Sequence, residues 1–240
     1  MTTTRQCILG AVALSLYATA GNAECRQALA LGLDVSGSVD LREYRLQLDG
    51  LVSALNTPEV VQVLMAMPSA PVHILIYEWS GPDNQTILVP WTALSDKNDL
   101  AHISEVLANA ERRQATPGTA LGVAMESGAT YLEERKNCQK RTLDISGDGK
   151  SNLGPRPRDV KATISERGIT VNALVIGPDS AQQGDARQTG IGELSSYFRA
   201  EVITGPNAFV QTALGFEDYA AAMAQKLKRE LKGIVIGAVQ

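Results

Sequence analysis

Asp34, Ser36 and Ser38 alternate along the segment Asp34-Val35-Ser36-Gly37-Ser38, which places one carboxylate and two hydroxyls in a single short stretch. Gly37 lets the backbone turn tightly between the hydroxyls. Two further segments offer small oxygen ligands of the same kind, Gly118-Thr119-Ala120-Leu121-Gly122 and Ser146-Gly147-Asp148-Gly149-Lys150-Ser151-Asn152. Carboxylates brought together without a cation repel, and one is driven to keep its proton. A hard divalent ion removes that conflict, and carboxylates, hydroxyls and waters in an octahedron at ~2.0 to 2.1 Å are what Mg2+ prefers. Each segment also has a plainer reading. Ser and Asp cap helices, Gly118-Thr119 can start one, and Asp148-Gly149 makes a turn.

For these segments to meet, each must lie at the same edge of one sheet. The apolar run Gln27 to Leu33 has the length of a buried parallel strand, so Asp34 falls at its carboxyl end. Leu41, Tyr44, Leu48, Leu51, Val52 and Leu55 then recur at helical spacing, and a short helix follows Pro58 until Pro68 and Pro71 end it. Val72 to Trp79 and Gln85 to Trp91 read as an antiparallel pair around the turn Gly81-Pro82-Asp83-Asn84, with the two tryptophans either packed on each other, the favoured reading, or partly exposed near a binding surface. Helical patterns run from Asp99 to Arg112, capped by Asp96 or Asn98, and from Ala120 to about Lys136. A strand from Arg141 to Ile145 delivers Asp148. Beyond it come a helix over Val160 to Arg167, a strand over Ile169 to Ile176, a short helix over Ile191 to Phe198, a strand over Ala208 to Ala213 and a helix over Phe216 to Leu231. Such alternation predicts an α/β fold: a single doubly wound (Rossmann-like) mostly parallel sheet with one antiparallel edge strand and helices on both faces. In that arrangement the carboxyl ends of the first and fourth strands flank the switch point where ligands bind, so Asp34, Ser36, Ser38, Thr119 and Asp148 can converge.

In order and strand context, these three segments resemble the metal-ion-dependent adhesion site of von Willebrand factor A-type domains, over essentially the whole chain beyond residue 23. The resemblance implies that Ser36, Ser38 and Thr119 ligate a metal through hydroxyls and that Asp34 and Asp148 act directly or through water. It also implies a protein-binding module whose cation, Mg2+ or else Mn2+ or Ca2+, is completed by an Asp or Glu carboxylate of a protein partner. With its amino-terminal region and Gly-Thr-Ala-x-Gly segment, the chain is further similar to a family of uncharacterised secreted bacterial proteins carrying this domain type. Two features depart from the pattern. The aliphatic-Thr-Asp-Gly typical of the last loop is Ile145-Ser146-Gly147-Asp148-Gly149 here, and Thr116 stands close enough to Thr119 to compete for its role.

The chain has 240 residues, 44% of them hydrophobic and 20% charged, with a net charge of −4 and no Lys/Arg-rich block, which argues against nucleic acid or an anionic membrane surface as partner. Arg5, the apolar stretch Cys7 to Ala20 and the small residues Gly21-Asn22-Ala23 read as a signal peptide over residues 1–23, with a von Willebrand factor A-like domain over 24–240. The expected location is therefore periplasmic or extracellular, with no membrane span in the mature chain. Cys25 and Cys138 form an even pair in that oxidising setting. Both precede apolar strands, and if those strands are parallel neighbours the sulfurs lie side by side and can bridge.

Rival motifs fail on spacing. Gly147-Asp148-Gly149-Lys150-Ser151 lacks the first glycine of a phosphate-binding loop, which would fall on Asp144, and the calcium-loop pattern from Asp144 has Pro155 where Glu is needed. His73, inside a strand pattern, and His102, on a helix, read as structural. No catalytic residue is assigned. The alternatives are a metal-assisted hydrolase, for which neither His nor Glu is placed as a base in these motifs, and a metal-free scaffold.

Overall fold

The computed structural model describes residues 25–114, 116–178 and 185–232, so the expected signal peptide lies outside the described residues. Its strands are β1 (Cys25–Asp34), β2 (Val72–Trp79), β3 (Gln85–Leu94), β4 (Cys138–Gly147), β5 (Thr170–Ile176) and β6 (Val210–Ala213). Its helices are α1 (Leu41–Leu55), α2 (Pro58–Leu64), α3 (Lys97–Ala108), α4 (Leu121–Glu133), α5 (Pro157–Glu166), α6 (Asp185–Glu201) and α7 (Tyr219–Lys232), the last preceded by a 3-10 turn at Phe216–Asp218. The strands lie in the order β3-β2-β1-β4-β5-β6, with β2 and β3 antiparallel and the remaining pairs parallel.

Alternation along β1 explains why both faces are covered. Leu29, Leu31 and Leu33 pack with Leu48 and Leu51 of α1 and Met223 and Leu227 of α7. Ala28 and Ala30 face the other way, into a cluster with Leu121 and Met125 of α4 and Ile164 of α5. A strand buried on both sides has to be apolar throughout, and this one is buried at every residue.

Small residues let α4 approach the sheet. Tyr77 donates its hydroxyl to the Ala124 carbonyl at 2.7 Å, and a methyl on Gly128 would meet Leu143 Cδ1 at 2.3 Å and Tyr77 Oη at 2.7 Å. Ala is the better helix former by roughly 1 kcal/mol, whereas overpacking a filled core costs about 1 to 3 kcal/mol. Gly128→Ala is therefore expected to destabilise despite its propensity gain, which chemical denaturation measures directly.

Cys25 and Cys138 are directly opposite in the β1–β4 ladder, with Cα atoms 4.6 Å apart, and are joined by a disulfide. The bridge closes a separation of 113 residues, for which the chain-entropy view gives about 4 to 5 kcal/mol of stabilisation before any strain. His73 brings a ring nitrogen within 4.8 Å of both sulfurs. A soft-metal site needs thiolates, and here the sulfurs are spent on each other.

Several boundaries move from the sequence expectation. Asp96, not Asn98, caps α3, through a reciprocal box with Asp99, and the helix stops at Ala108, short of Arg112. β4 begins at Cys138 and ends at Gly147, and α6 extends well beyond Ile191 to Phe198. Trp79 and Trp91 do not stack on each other. Trp79 is fully buried opposite Gln85, whereas Trp91 adjoins Thr92, which sits opposite Ile74, and carries the Arg135 guanidinium 5.2 Å over its ring.

Candidate metal centre

β1 and β4 end side by side, and their carboxyl ends carry the first and last of the three segments. Asp34, the last residue of β1, is fully buried. Its Oδ1 accepts the Ser36 N–H at 2.8 Å, which folds the chain back so that Ser36 and Ser38 lie beside it. The two hydroxyls stand 3.2 Å apart, and Ser38 Oγ donates to Asp148 Oδ1 at 2.8 Å. A continuous series of oxygens thus runs from Asp34 through Ser36 and Ser38 to Asp148. Gly37 N donates to Pro117 O at 3.0 Å, and a methyl on Gly37 would come within 2.7 Å of Pro117 Cβ, so glycine allows the Asp34 and Thr119 loops to touch.

Thr119 is attached through its backbone on two sides. Its N–H donates to Asn152 Oδ1 and its carbonyl accepts Asn152 N–H, both at 2.9 Å, while the next N–H, of Ala120, donates to Ser80 O at 2.7 Å. Thr119 is buried beside the Asp148 loop. Thr116 is exposed and turned to the β2–β3 hairpin, where its N–H meets Asn84 Oδ1 at 3.1 Å and its Cβ lies against Gly81.

The capping pattern answers the plainer readings. Asp40 caps α1, in a reciprocal box with Glu43, so neither Ser36 nor Ser38 is needed there. Helix α4 has Ala120 at its cap position and no side-chain capping bond, so Thr119 is not a cap either. The hydroxyls are left for another use.

Electrostatics at this edge are unfavourable as they stand. Asp34 Oδ2 is buried without a hydrogen-bond partner. Burial, and secondarily the charge of Asp148, push the Asp34 carboxyl up to about 8, against the Ser36 N–H, the Ser36 hydroxyl and the Asp148 N–H, which favour its anion. Asp148 is also pushed up by burial, opposed by the Ser38 hydroxyl. Two carboxyls, one of them with an orphaned buried oxygen, and the hydroxyls form a hard-oxygen donor set that fits a Mg2+-like cation.

Sequence reasoning missed the groups that hold these loops. Gln47 Nε2 donates to the Asp34 carbonyl at 3.0 Å, and Arg112 Nη2 donates to the Ser36 carbonyl at 3.1 Å from the segment beyond α3. A polar Gln on the otherwise apolar inner face of α1 was the available signal for the first. Arg112 and Arg113, with Val35, Gly37, Leu41 and Pro117, also line a hollow of about 430 Å3 beside the site.

The family described as "Protein of unknown function (DUF1194)" matches residues 24–235. The chain belongs to the DUF1194 family. No curated protein sequence matches it. Its fold is that of von Willebrand factor A-type domains. Proximal thread matrix protein 1 from the mussel byssus superposes with a TM-score of 0.57 at 16% identity, covering 87% of this chain and 48% of that one. Another structure of that protein has a zinc-occupied MIDAS motif. The pilus adhesin SpaC from Lactobacillus rhamnosus GG, in its open conformation, gives a TM-score of 0.59 at 13% identity over 88% of this chain and 30% of the adhesin. A von Willebrand factor type A protein from Catenulispora acidiphila gives 0.53 at 14% identity over 86% and 43%. The DUF1194 chain thus spans half or less of the length of these three proteins. No helix among its described residues is long and apolar enough to cross a membrane.

Proposed function

We propose that this DUF1194 protein is an exported, divalent-cation-dependent protein-binding module. Asp34, Ser36, Ser38, Thr119 and Asp148 would hold the cation, Mg2+ in the first place with Mn2+ or Ca2+ as substitutes, which would supply the positive centre for an Asp or Glu carboxylate of a partner protein. The observation that carries this reading is the buried Asp34 carboxyl, whose Oδ2 has no hydrogen-bond partner, grouped with the Asp148 carboxyl and with two hydroxyls that cap no helix. A divalent cation would supply the positive charge these carboxyls lack. The chain's own residues do the rest. Ser38 orients Asp148, Gln47 and Arg112 fix the Asp34 loop through its carbonyls, and Arg112 and Arg113 add positive charge beside the hollow an acidic partner would enter. The adhesin and matrix proteins that share the fold, one with zinc in its MIDAS motif, favour binding over catalysis for this chain. Residues 1–23, with the composition of a signal peptide, and the disulfide support export.

The two threonines give a discriminating test. Thr119→Ala is expected to weaken Mg2+ binding, measured by calorimetry, by about 10- to 100-fold, and Thr116→Ala to leave it unchanged. Equal effects of the two substitutions would remove Thr119 from the ligand set.

A further inference from the structure

A cavity of about 670 Å3 lies at the amino ends of β4 and β5, the sheet edge opposite Asp34 and Asp148. It is larger than the hollow of about 430 Å3 beside the candidate metal centre, and within the roughly 300 to 1,000 Å3 of small-molecule sites. Lys140, Arg141, Asn172, Phe209, Arg229 and Glu230 are among its lining residues.

Their charges are unequally matched. Arg141 is committed elsewhere, donating to Glu133 Oε1 at 3.1 Å and to the Arg167 carbonyl. Lys140 makes no ion pair among the described residues; its Nζ donates to the Glu230 backbone carbonyl at 3.3 Å, and burial pulls its ammonium below the usual lysine value, with the nearby Glu230 charge opposing. Arg229 likewise makes no ion pair among the described residues. Its guanidinium lies 3.8 Å over the Phe209 ring, which fixes the plane of the fork and leaves its N–H groups for a ligand. Glu230, the acid of the lining, spends its charge on the neighbouring buried Lys226, with Oε1 accepting from Lys226 Nζ at 2.7 Å and from Asn172 Nδ2 at 2.6 Å. Its Oε2 is buried with no partner. Ile169, Pro206 and Phe209 give the wall an apolar part, and Phe209 is held by its N–H donating to Asn172 Oδ1 at 3.0 Å.

We infer that this cavity is a second binding site, for a small organic anion. Lys140 and Arg229 hold the anionic groups by charge-assisted hydrogen bonds, and the apolar wall takes the carbon frame.

The test uses the metal-stripped protein, with malate and succinate as probes and succinamide as the uncharged control. Calorimetry or protein-observed NMR is expected to give saturable binding of malate and of succinate, with no binding of succinamide. Arg229→Gln, an exposed substitution that leaves the core intact, and Lys140→Ala are each expected to weaken malate about tenfold or more. Asp34→Asn is expected to leave malate affinity unchanged, which keeps this outcome separate from that of the metal centre. Absence of saturable binding up to roughly 10 mM malate, an affinity unmoved by both basic-residue substitutions, or loss of binding in Asp34→Asn would each overturn the inference.

Discussion

Asp34→Asn is expected to abolish divalent-cation binding and, in metal-free protein at alkaline pH, to leave the fold more stable than the wild type. Asn keeps the Oδ1 that accepts the Ser36 N–H, so the local turn survives. What it removes is a buried carboxyl whose folded value lies near 8, against an ordinary 3.8. The sign follows from linkage: the folded chain holds this proton more tightly than the unfolded chain. Its favourable contribution is complete below 3.8 and is lost as pH rises through about 8. Metal-free wild type should therefore lose melting temperature across that window, with Asp148 acting in the same direction, and Asp34→Asn should show a shallower loss. Added Mg2+ should restore the wild type at alkaline pH, by ~2.7 kcal/mol at a hundredfold excess over Kd, and leave the variant unmoved. A purely structural Asp34 predicts the reverse: a variant less stable at every pH, with its response to Mg2+ intact.

Lys226→Met is expected to be the most damaging single change away from the metal edge. Lys226 is fully buried on α7 between two acids, Asp144 of β4 and Glu230 one turn along its own helix. Its Nζ pairs with Asp144 Oδ2 at 2.5 Å and with Glu230 Oε1 at 2.7 Å, donating a hydrogen bond to the latter. One ammonium cannot serve two buried carboxylates fully. Burial pushes Asp144 up to about 7, with Lys226 opposing and the Glu230 charge adding to the rise. Removing the cation leaves the acids uncompensated, which costs about 3 to 5 kcal/mol. The loss should be largest above about pH 7 and shrink at lower pH, where Asp144 can take up a proton in the folded state. Denaturant midpoints of Lys226→Met, with and without Glu230→Gln, measure this, and the second substitution should recover part of the loss.

How much of this the sequence could tell depended on whether local pattern or long-range pairing decided each element. β1, α1 and β2 were legible because one apolar rhythm runs through each. β4 was read too short at both ends. Gln139 and Lys140 look like loop, yet Cys138 is held by the disulfide and the ladder to β1; Ser146 and Gly147 look like a turn, yet they pair with Leu33 and Val175. The extra small residue before Asp148 is thereby absorbed into the strand, and Asp148 still reaches Ser38. Helix α6 was read too short because Gly190 and Gly192 interrupt its apolar rhythm. Of the candidate site, the oxygen-bearing side chains were legible from type and order. The positioning groups were not, since Gln47, Arg112 and Asn152 act through backbone atoms distant in sequence.

Titrating the metal-stripped mature chain with Mg2+ by calorimetry at about pH 8, where Asp34 gives up its proton readily, tests the central claim most directly. One saturable site per chain, absent in Asp34→Asn, is the predicted result. Heats no larger than dilution for the wild type, or the same isotherm for wild type and Asp34→Asn, would contradict it.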